Sequence, residues 1–307
     1  MGKIAIVFSG QGVQYSGMGK SLYENCECAK NLYDFAESVR PGTIAQSFNG
    51  TDEELKKTVN TQPCVYLVDI CAALALKEHG IVADAVAGFS LGEIAALAYA
   101  GGYSPEKGFE IVTKRGELMQ ASAEKYDTAM AAVLKLDSAT VENICSSIND
   151  AYPVNYNSPV QTVVAGSKDA IASLKEKVVE HSGRVIDLAV SAAFHSPYMN
   201  DASDAFRKYL GSVETSPLLL PVYANKTALP YGDDIKQTIA DQIKSPVMWN
   251  KTILNMIDDG FTDFIEAGVG TTLCGLIKKI SSNVRTYSVQ DYDSLIKTVE
   301  AVKENVL

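Results

Sequence analysis

The sequence predicts an α/β fold in two parts, and three observations carry that prediction. Short apolar, strand-like runs alternate with helix-like segments along most of the chain. Near Tyr126-Asp127 the character changes, and a β-α-β-β-α-β pattern occupies residues 127–189 before the larger pattern resumes. The length of 307 residues suits about two domains, or one large domain carrying an insert. The expected division is residues 1–126 with 190–307 as the large unit, and 127–189 as a ferredoxin-like insert.

The elements follow in order. Lys3–Phe8 is a short β-type run that leads straight into Ser9-Gly10-Gln11-Gly12. It reads as a first buried strand, and a signal peptide is not expected there. Residues 61–79 form a helix, with Pro63 in its first turn and apolar residues at helical spacing through Leu76. Residues 84–89 are a strand running into Ser90-Leu91-Gly92-Glu93, which opens an alanine- and leucine-rich helix. Pro105 starts another helix, ending near Ala123. The insert reads as strand 129–136, helix 138–150, strands 152–156 and 160–165, helix 168–181 and strand 184–189. Leu218–Ala224 and Thr262–Ala267 read as buried strands, and residues 291–306 as a final amphipathic helix.

Composition excludes several classes. Hydrophobic residues make up 47% and charged residues 21%, which supports a sizeable core and excludes general disorder. The net charge of −10 leaves no global basic field for nucleic acid. No apolar run reaches the ~18 residues of a membrane span, so none is expected. The six cysteines are scattered, which favours a reduced, cytoplasmic protein. Cys26-x-Cys28 lacks a second Cys/His pair at matching spacing, so no metal site is expected.

Gly88-Phe89-Ser90-Leu91-Gly92 matches G-x-S-x-G, with a strand before it and a helix after it. Glycines on both sides permit a sharp turn that presents the serine hydroxyl at a helix N-terminus. An N-capping serine is the plainer reading. A nucleophilic serine needs a base, and the chain offers His79, His181 and His195. His79 and His181 sit at polar helix C-termini, where the helix dipole explains them. His195 stands in a small, apolar stretch before Pro197 and is the candidate base. No acid closely flanks it, so a distant residue or a backbone carbonyl must orient the ring.

On the helix from Pro105, Ile111, Val112, Leu118 and Met119 form an apolar arc, and Arg115 falls near its centre. Three explanations stand: an ion pair with a buried acid, snorkelling to the surface, or a substrate carboxylate held by the guanidinium. The Ser9–Gly12 loop permits close backbone approach, which suits a second oxyanion donor, or is simply a tight turn. Gly17-Met18-Gly19-Lys20-Ser21 imitates the end of a phosphate loop, but Gln14 stands where the pattern needs glycine.

Taken together, the motifs resemble those of the malonyl-CoA:acyl carrier protein transacylases and related polyketide synthase acyltransferase domains. The matching stretches include Ser9–Gly12, Thr61-Gln62-Pro63, Gly88–Glu93, Lys114-Arg115-Gly116, Asn155-Tyr156-Asn157-Ser158-Pro159, Phe194-His195-Ser196, Pro246–Trp249 and Glu266–Gly270. The resemblance implies an α/β-hydrolase-like large subdomain, acylation of Ser90, and His195 as general base and acid. It further implies an oxyanion hole from the backbone N–H groups of Gln11 and Leu91. Arg115 would hold the malonyl carboxylate, and Gln62 and Asn157 would line the site. The Ala193-Phe194-His195 form is similar to that associated with malonyl rather than methylmalonyl selection. Phe89 stands where histidine is usual and is placed to reshape the acyl pocket. Met248 stands where glutamine is common, in a region whose backbone carbonyl orients the histidine in this family.

The implied partners are malonyl-CoA and acyl carrier protein, with the CoA thioester and phosphopantetheine arm as substrates and no cofactor. An acidic carrier calls for a local basic patch, with Lys278 and Lys279 as candidates. Alternatives are a trans-acting polyketide acyltransferase, a serine esterase or thioesterase, and a non-enzymatic scaffold.

Overall fold

The structure is a computed structural model that describes residues 2–190 and 192–305. The chain begins with β1 (Lys3–Phe8), α1 (Lys20–Asn25), α2 (Glu27–Val39), α3 (Thr43–Asn49), α4 (Asp52–Lys56) and α5 (Thr58–Glu78). It continues through β2 (Ala85–Gly88), α6 (Gly92–Tyr99) and α7 (Pro105–Ala123). Next come β3 (Thr128–Leu134), α8 (Ser138–Ser146), β4 (Ala151–Ser158), β5 (Gln161–Ser167), α9 (Lys168–Glu180) and β6 (Arg184–Asp187). After a 3-10 turn at Pro197–Met199, α10 (Asn200–Leu210), β7 (Val222–Tyr223), α11 (Ile235–Gln242) and α12 (Trp249–Asp258) follow. The chain closes with β8 (Phe261–Ala267), α13 (Thr272–Ile280), β9 (Arg285–Val289) and α14 (Tyr292–Asn305).

Among the described residues, one sheet has the strand order β7-β2-β1-β8-β9, with neighbouring strands parallel. Its central strand β1 is apolar on both faces because both are covered. Ile4, Ile6 and Phe8 join the core built around α5 and α6, while Ala5 and Val7 join Trp249, Ile253 and Ile277 of α12 and α13. The second sheet is antiparallel, in the order β4-β5-β3-β6. Ala131 and Val133 pack on one face against Val141, Ile144, Ile171 and Leu174 of α8 and α9. Met130, Ala132, Val163 and Ala165 face the main core on the other. A hydrogen-bonded seam joins β4 to the segment before α12: Tyr156 N donates to Val247 O at 2.9 Å, and Val247 N to Val154 O at 2.8 Å.

Several expectations are corrected. Of 218–224, only Val222–Tyr223 pairs in the sheet, and Leu219 is exposed. Pro221 contributes a carbonyl to Val86 N but has no N–H to give. Strand β9 has no counterpart in the sequence reading, because its Arg-Thr-Tyr-Ser-Val edge is only partly buried. Helix 138–150 ends at Ser146. Val306, of the expected final helix, lies outside the described residues. Helix α5 is long and apolar enough to cross a membrane, with a mean hydropathy of 1.4 over an 18-residue window, contrary to expectation. Yet 83% of that window is buried inside the fold, as an all-round apolar core helix requires.

Candidate active site

Ser90 stands in the bend between β2 and α6 with φ at 54°, a left-handed conformation that costs a serine energy. The flanking glycines make the bend possible. A Cβ at Gly88 would lie 2.0 Å from the Gly92 carbonyl carbon, and one at Gly92 would lie 2.5 Å from Phe8 O. Two distant amides hold the bend. Ser90 N donates to Asn225 Oδ1 at 2.7 Å, and Gln242 Nε2 donates to Ser90 O at 2.7 Å. Asn225 Nδ2 also donates to Gly88 O at 2.5 Å.

His195 reaches the serine from the segment beyond β6. Its Nε2 lies 2.8 Å from Ser90 Oγ. Its Nδ1 faces two backbone carbonyls, Gln242 O at 3.0 Å and Ser245 O at 3.2 Å. A ring nitrogen between two acceptors must carry hydrogen, which leaves the Nε2 lone pair for the serine hydroxyl. The carbonyl role expected near Met248 therefore falls to residues just upstream, while Met248 O accepts from Thr252 N in α12. Burial, and secondarily the Arg115 charge, lower the imidazole to about 4, so it is neutral at pH 7.

Arg115 is fully buried on α7, so it does not snorkel. Nη1 donates to Gln62 Oε1 at 2.9 Å, and Nη2 donates to Gln242 Oε1 at 2.8 Å and to Ser90 Oγ at 3.2 Å. These partners are all neutral. Nε has no partner, and no acid among the described residues forms an ion pair with the guanidinium. Burial lowers its pKa to about 10, with Glu93 opposing, and it remains charged at neutral pH.

A cavity of about 80 Å³ is lined by Gln11, Gln62, Phe89, Ser90, Leu91, Phe194 and His195, with Met119, Met130 and Asn155 among its other walls. It adjoins an outer cavity of about 580 Å³ that shares Gln11, Phe89 and Asn155. Thus Gln11, Leu91, Gln62, Phe89 and Phe194 meet at the serine, while Asn157 lines only the outer cavity. The buried Oδ1 atoms of Asn155 and Asn157 both lack a partner. Phe89 packs edge-on against Trp249 at 5.5 Å between ring centroids. Lys279 is exposed and reaches Gln161 at the outer cavity at 3.5 Å.

His79 and His181 cap α5 and α9, each with Nδ1 2.9 Å from a carbonyl four residues earlier. The sequence reading missed Asn225, Gln242, Ser245 and Tyr231, and quoted Asn155 only within a matching stretch. It quoted Glu93 only as part of a motif. Glu93 is fully buried behind the bend, accepting from Asn225 N at 2.9 Å, Gln242 Nε2 at 3.1 Å and the Tyr231 hydroxyl. Burial lifts its pKa to about 7. An acid in the first turn of an otherwise apolar helix was the available signal.

The chain matches the acyl transferase domain model over residues 5–293. It is 35% identical to the malonyl CoA-acyl carrier protein transacylase of Bacillus subtilis, covering 99% of this chain and 98% of that one. It is 38% identical to the polyketide biosynthesis malonyl CoA-acyl carrier protein transacylase PksC of Bacillus subtilis, covering 91% and 98%. The crystal structure of the malonyl CoA-acyl carrier protein transacylase from Clostridium perfringens superposes with a TM-score of 0.94 at 33% identity, covering 98% of each chain. With the Ser90 bend, the paired imidazole and the buried arginine already meeting at one hydroxyl, these matches settle the family: the chain belongs to the acyl transferase domain family.

Proposed function

We propose that the chain transfers a malonyl group from malonyl-CoA to the phosphopantetheine thiol of acyl carrier protein, through a malonyl-serine intermediate. The observation that carries this reading is the meeting of Ser90, His195 and Arg115 around one hydroxyl, with contacts of 2.8 and 3.2 Å. His195 Nε2 takes the Ser90 proton as Oγ attacks the thioester carbonyl. The backbone N–H groups of Gln11 and Leu91 stabilise the oxyanion, and loss of one such donor costs ~10²–10³ in rate. The proton passes to the departing CoA sulfur. The carrier thiol then gives its proton to His195 as it attacks the ester, and Ser90 recovers that proton on leaving. Arg115 holds the malonyl carboxylate throughout, with Gln62, Phe89, Phe194 and the outer Asn157 shaping the passage. These residues need no cofactor for the reaction.

The same reading assigns an α/β-hydrolase-like unit, residues 1–126 and 190–307, and a ferredoxin-like unit, residues 127–189. The β-α-β-β-α-β order and antiparallel sheet of the latter support it. Lys278 and Lys279 are proposed for carrier docking, and the cytoplasm as the location. The named activities of the relatives support the substrates, and the polyketide relative supports a second reading in which the carrier belongs to a polyketide assembly line. Relative rates with the two carriers decide between them. A hydrolase is disfavoured because Nδ1 of His195 meets carbonyls rather than an acid.

Intact-mass measurement after exposure to malonyl-CoA tests the scheme. A malonyl adduct is expected on the native protein and none on Ser90→Ala; an unmodified native protein would refute it.

A further inference from the structure

The buried Glu93 carboxylate and the buried Arg115 guanidinium lie on either side of one side chain. Gln242 Oε1 accepts from Arg115 Nη2 at 2.8 Å, while Gln242 Nε2 donates to Glu93 Oε2 at 3.1 Å. The amide has only one workable orientation. Turned over, its NH2 would face the cation and its oxygen the carboxylate. The backbone carbonyl of the same residue receives His195 Nδ1, and its Nε2 also reaches Ser90 O.

A guanidinium left in the interior with no anion nearby is costly, so an acid at this depth is expected. Direct contact would create a different difficulty. Arginine and carboxylate form charge-assisted, often bidentate pairs roughly twice as strong as neutral hydrogen bonds. Such a pair would occupy the donors that an incoming carboxylate needs. Here the donors rest on neutral amide oxygens of Gln62 and Gln242, while Glu93 is occupied by Asn225 N, the Tyr231 hydroxyl and the Gln242 amide.

We propose that the Gln242 side chain is a positioning residue for acyl selectivity, spacing Glu93 from Arg115 so that the guanidinium stays open to a carboxylated acyl group. This rests on the malonyl-transfer reading above. Its prediction is specific: what matters is which of the two positions carries the acid, beyond the total charge.

The test is an exchange of the two side chains, Gln242→Glu with Glu93→Gln, compared with Glu93→Gln alone and the parent. kcat/KM is measured for malonyl-CoA and acetyl-CoA with a holo carrier protein, alongside the thermal midpoint. The exchange conserves charge and places the acid on the arginine. The malonyl-to-acetyl ratio is expected to fall about tenfold or more, chiefly through KM for malonyl-CoA. Glu93→Gln keeps the spacing, and its ratio is expected to stay within about threefold of the parent. A merely structural role predicts that the exchange restores stability and ratio together. A retained ratio in the exchanged protein overturns the proposal. So does a collapse in Glu93→Gln alone, which also decides the matter if the exchanged protein does not fold. A parent that forms no malonyl adduct overturns the transfer reading and this inference with it; an adduct on the parent confines any failure to the spacing role.

Discussion

Ser90 and His195, 105 positions apart, both hold left-handed backbone conformations, at φ 54° and 60°, and their side chains meet at 2.8 Å. Neither residue favours that conformation, which persists only when its surroundings fix it. At Ser90 the fixing groups are identifiable as Asn225 and Gln242, acting on the backbone on either side of the hydroxyl.

Replacing His195 should be severe. His195→Ala is expected to lower the rate of serine acylation by about 10²–10⁴, the usual contribution of a positioned general base. Stopped-flow release of CoA from malonyl-CoA reads this step directly. A variant that keeps the parent rate would remove His195 from the mechanism.

Arg115→Ala should separate substrates. Malonyl transfer is expected to fall about 10- to 100-fold further than acetyl transfer, the worth of a charge-assisted hydrogen bond. Steady-state kinetics with both CoA esters measures the difference. Equal losses would assign the arginine to the architecture of the bend.

Phe89 lines both the inner and outer cavities. Phe89→His removes part of an apolar wall and its edge contact with Trp249. A changed order of preference across a panel of acyl-CoA esters is expected. An identical order would take Phe89 out of the acyl pocket.

The acidic limb of serine acylation should lie unusually low. Burial first, and Arg115 second, hold His195 at about 4, so the neutral base persists as pH falls from 7 to 5 and is lost only near 4. Removing the Arg115 charge should move that limb upward. CoA release from acetyl-CoA in Arg115→Ala and the parent, followed against pH, tests the sign, and a downward move would contradict it.

Glu93 gives a stability prediction of opposite slope. Its pKa is raised from 4.5 to about 7 in the folded chain, mainly by burial. Its contribution to stability is fully present below 4.5 and declines as pH rises through 7, by about 3 kcal/mol at completion. Glu93→Gln should therefore melt closer to the parent, or above it, at pH 8 than at pH 5. Calorimetry at both values measures this, and a relative loss at pH 8 would reverse the assignment.

Much of the molecule was legible because covered parallel strands are written as apolar runs, as β1, β2 and β8 are. Strand β9 was not, since its edge needs only part of its residues to be apolar. Helix α2 carried a readable stripe, Ala29, Leu32, Tyr33 and Ala36, that no motif drew attention to. At the site, Ser90 was marked by its glycines and Arg115 by its misfit on an apolar arc. His195 emerged because two helix ends accounted for the other histidines. Asn225 and Gln242 could not be found that way. They stand 135 and 152 positions from the serine, and an amide announces nothing until the fold brings its two ends to partners.

The seam between β4 and Val247 ties the rim of the entrance to the stretch of chain that steers the imidazole. The antiparallel sheet is thus no free flap. The two carbonyls that face His195 Nδ1 therefore hang from a segment whose far end β4 holds in place. A substitution at residues 154–156 is therefore expected to change the rate of serine acylation along with substrate entry.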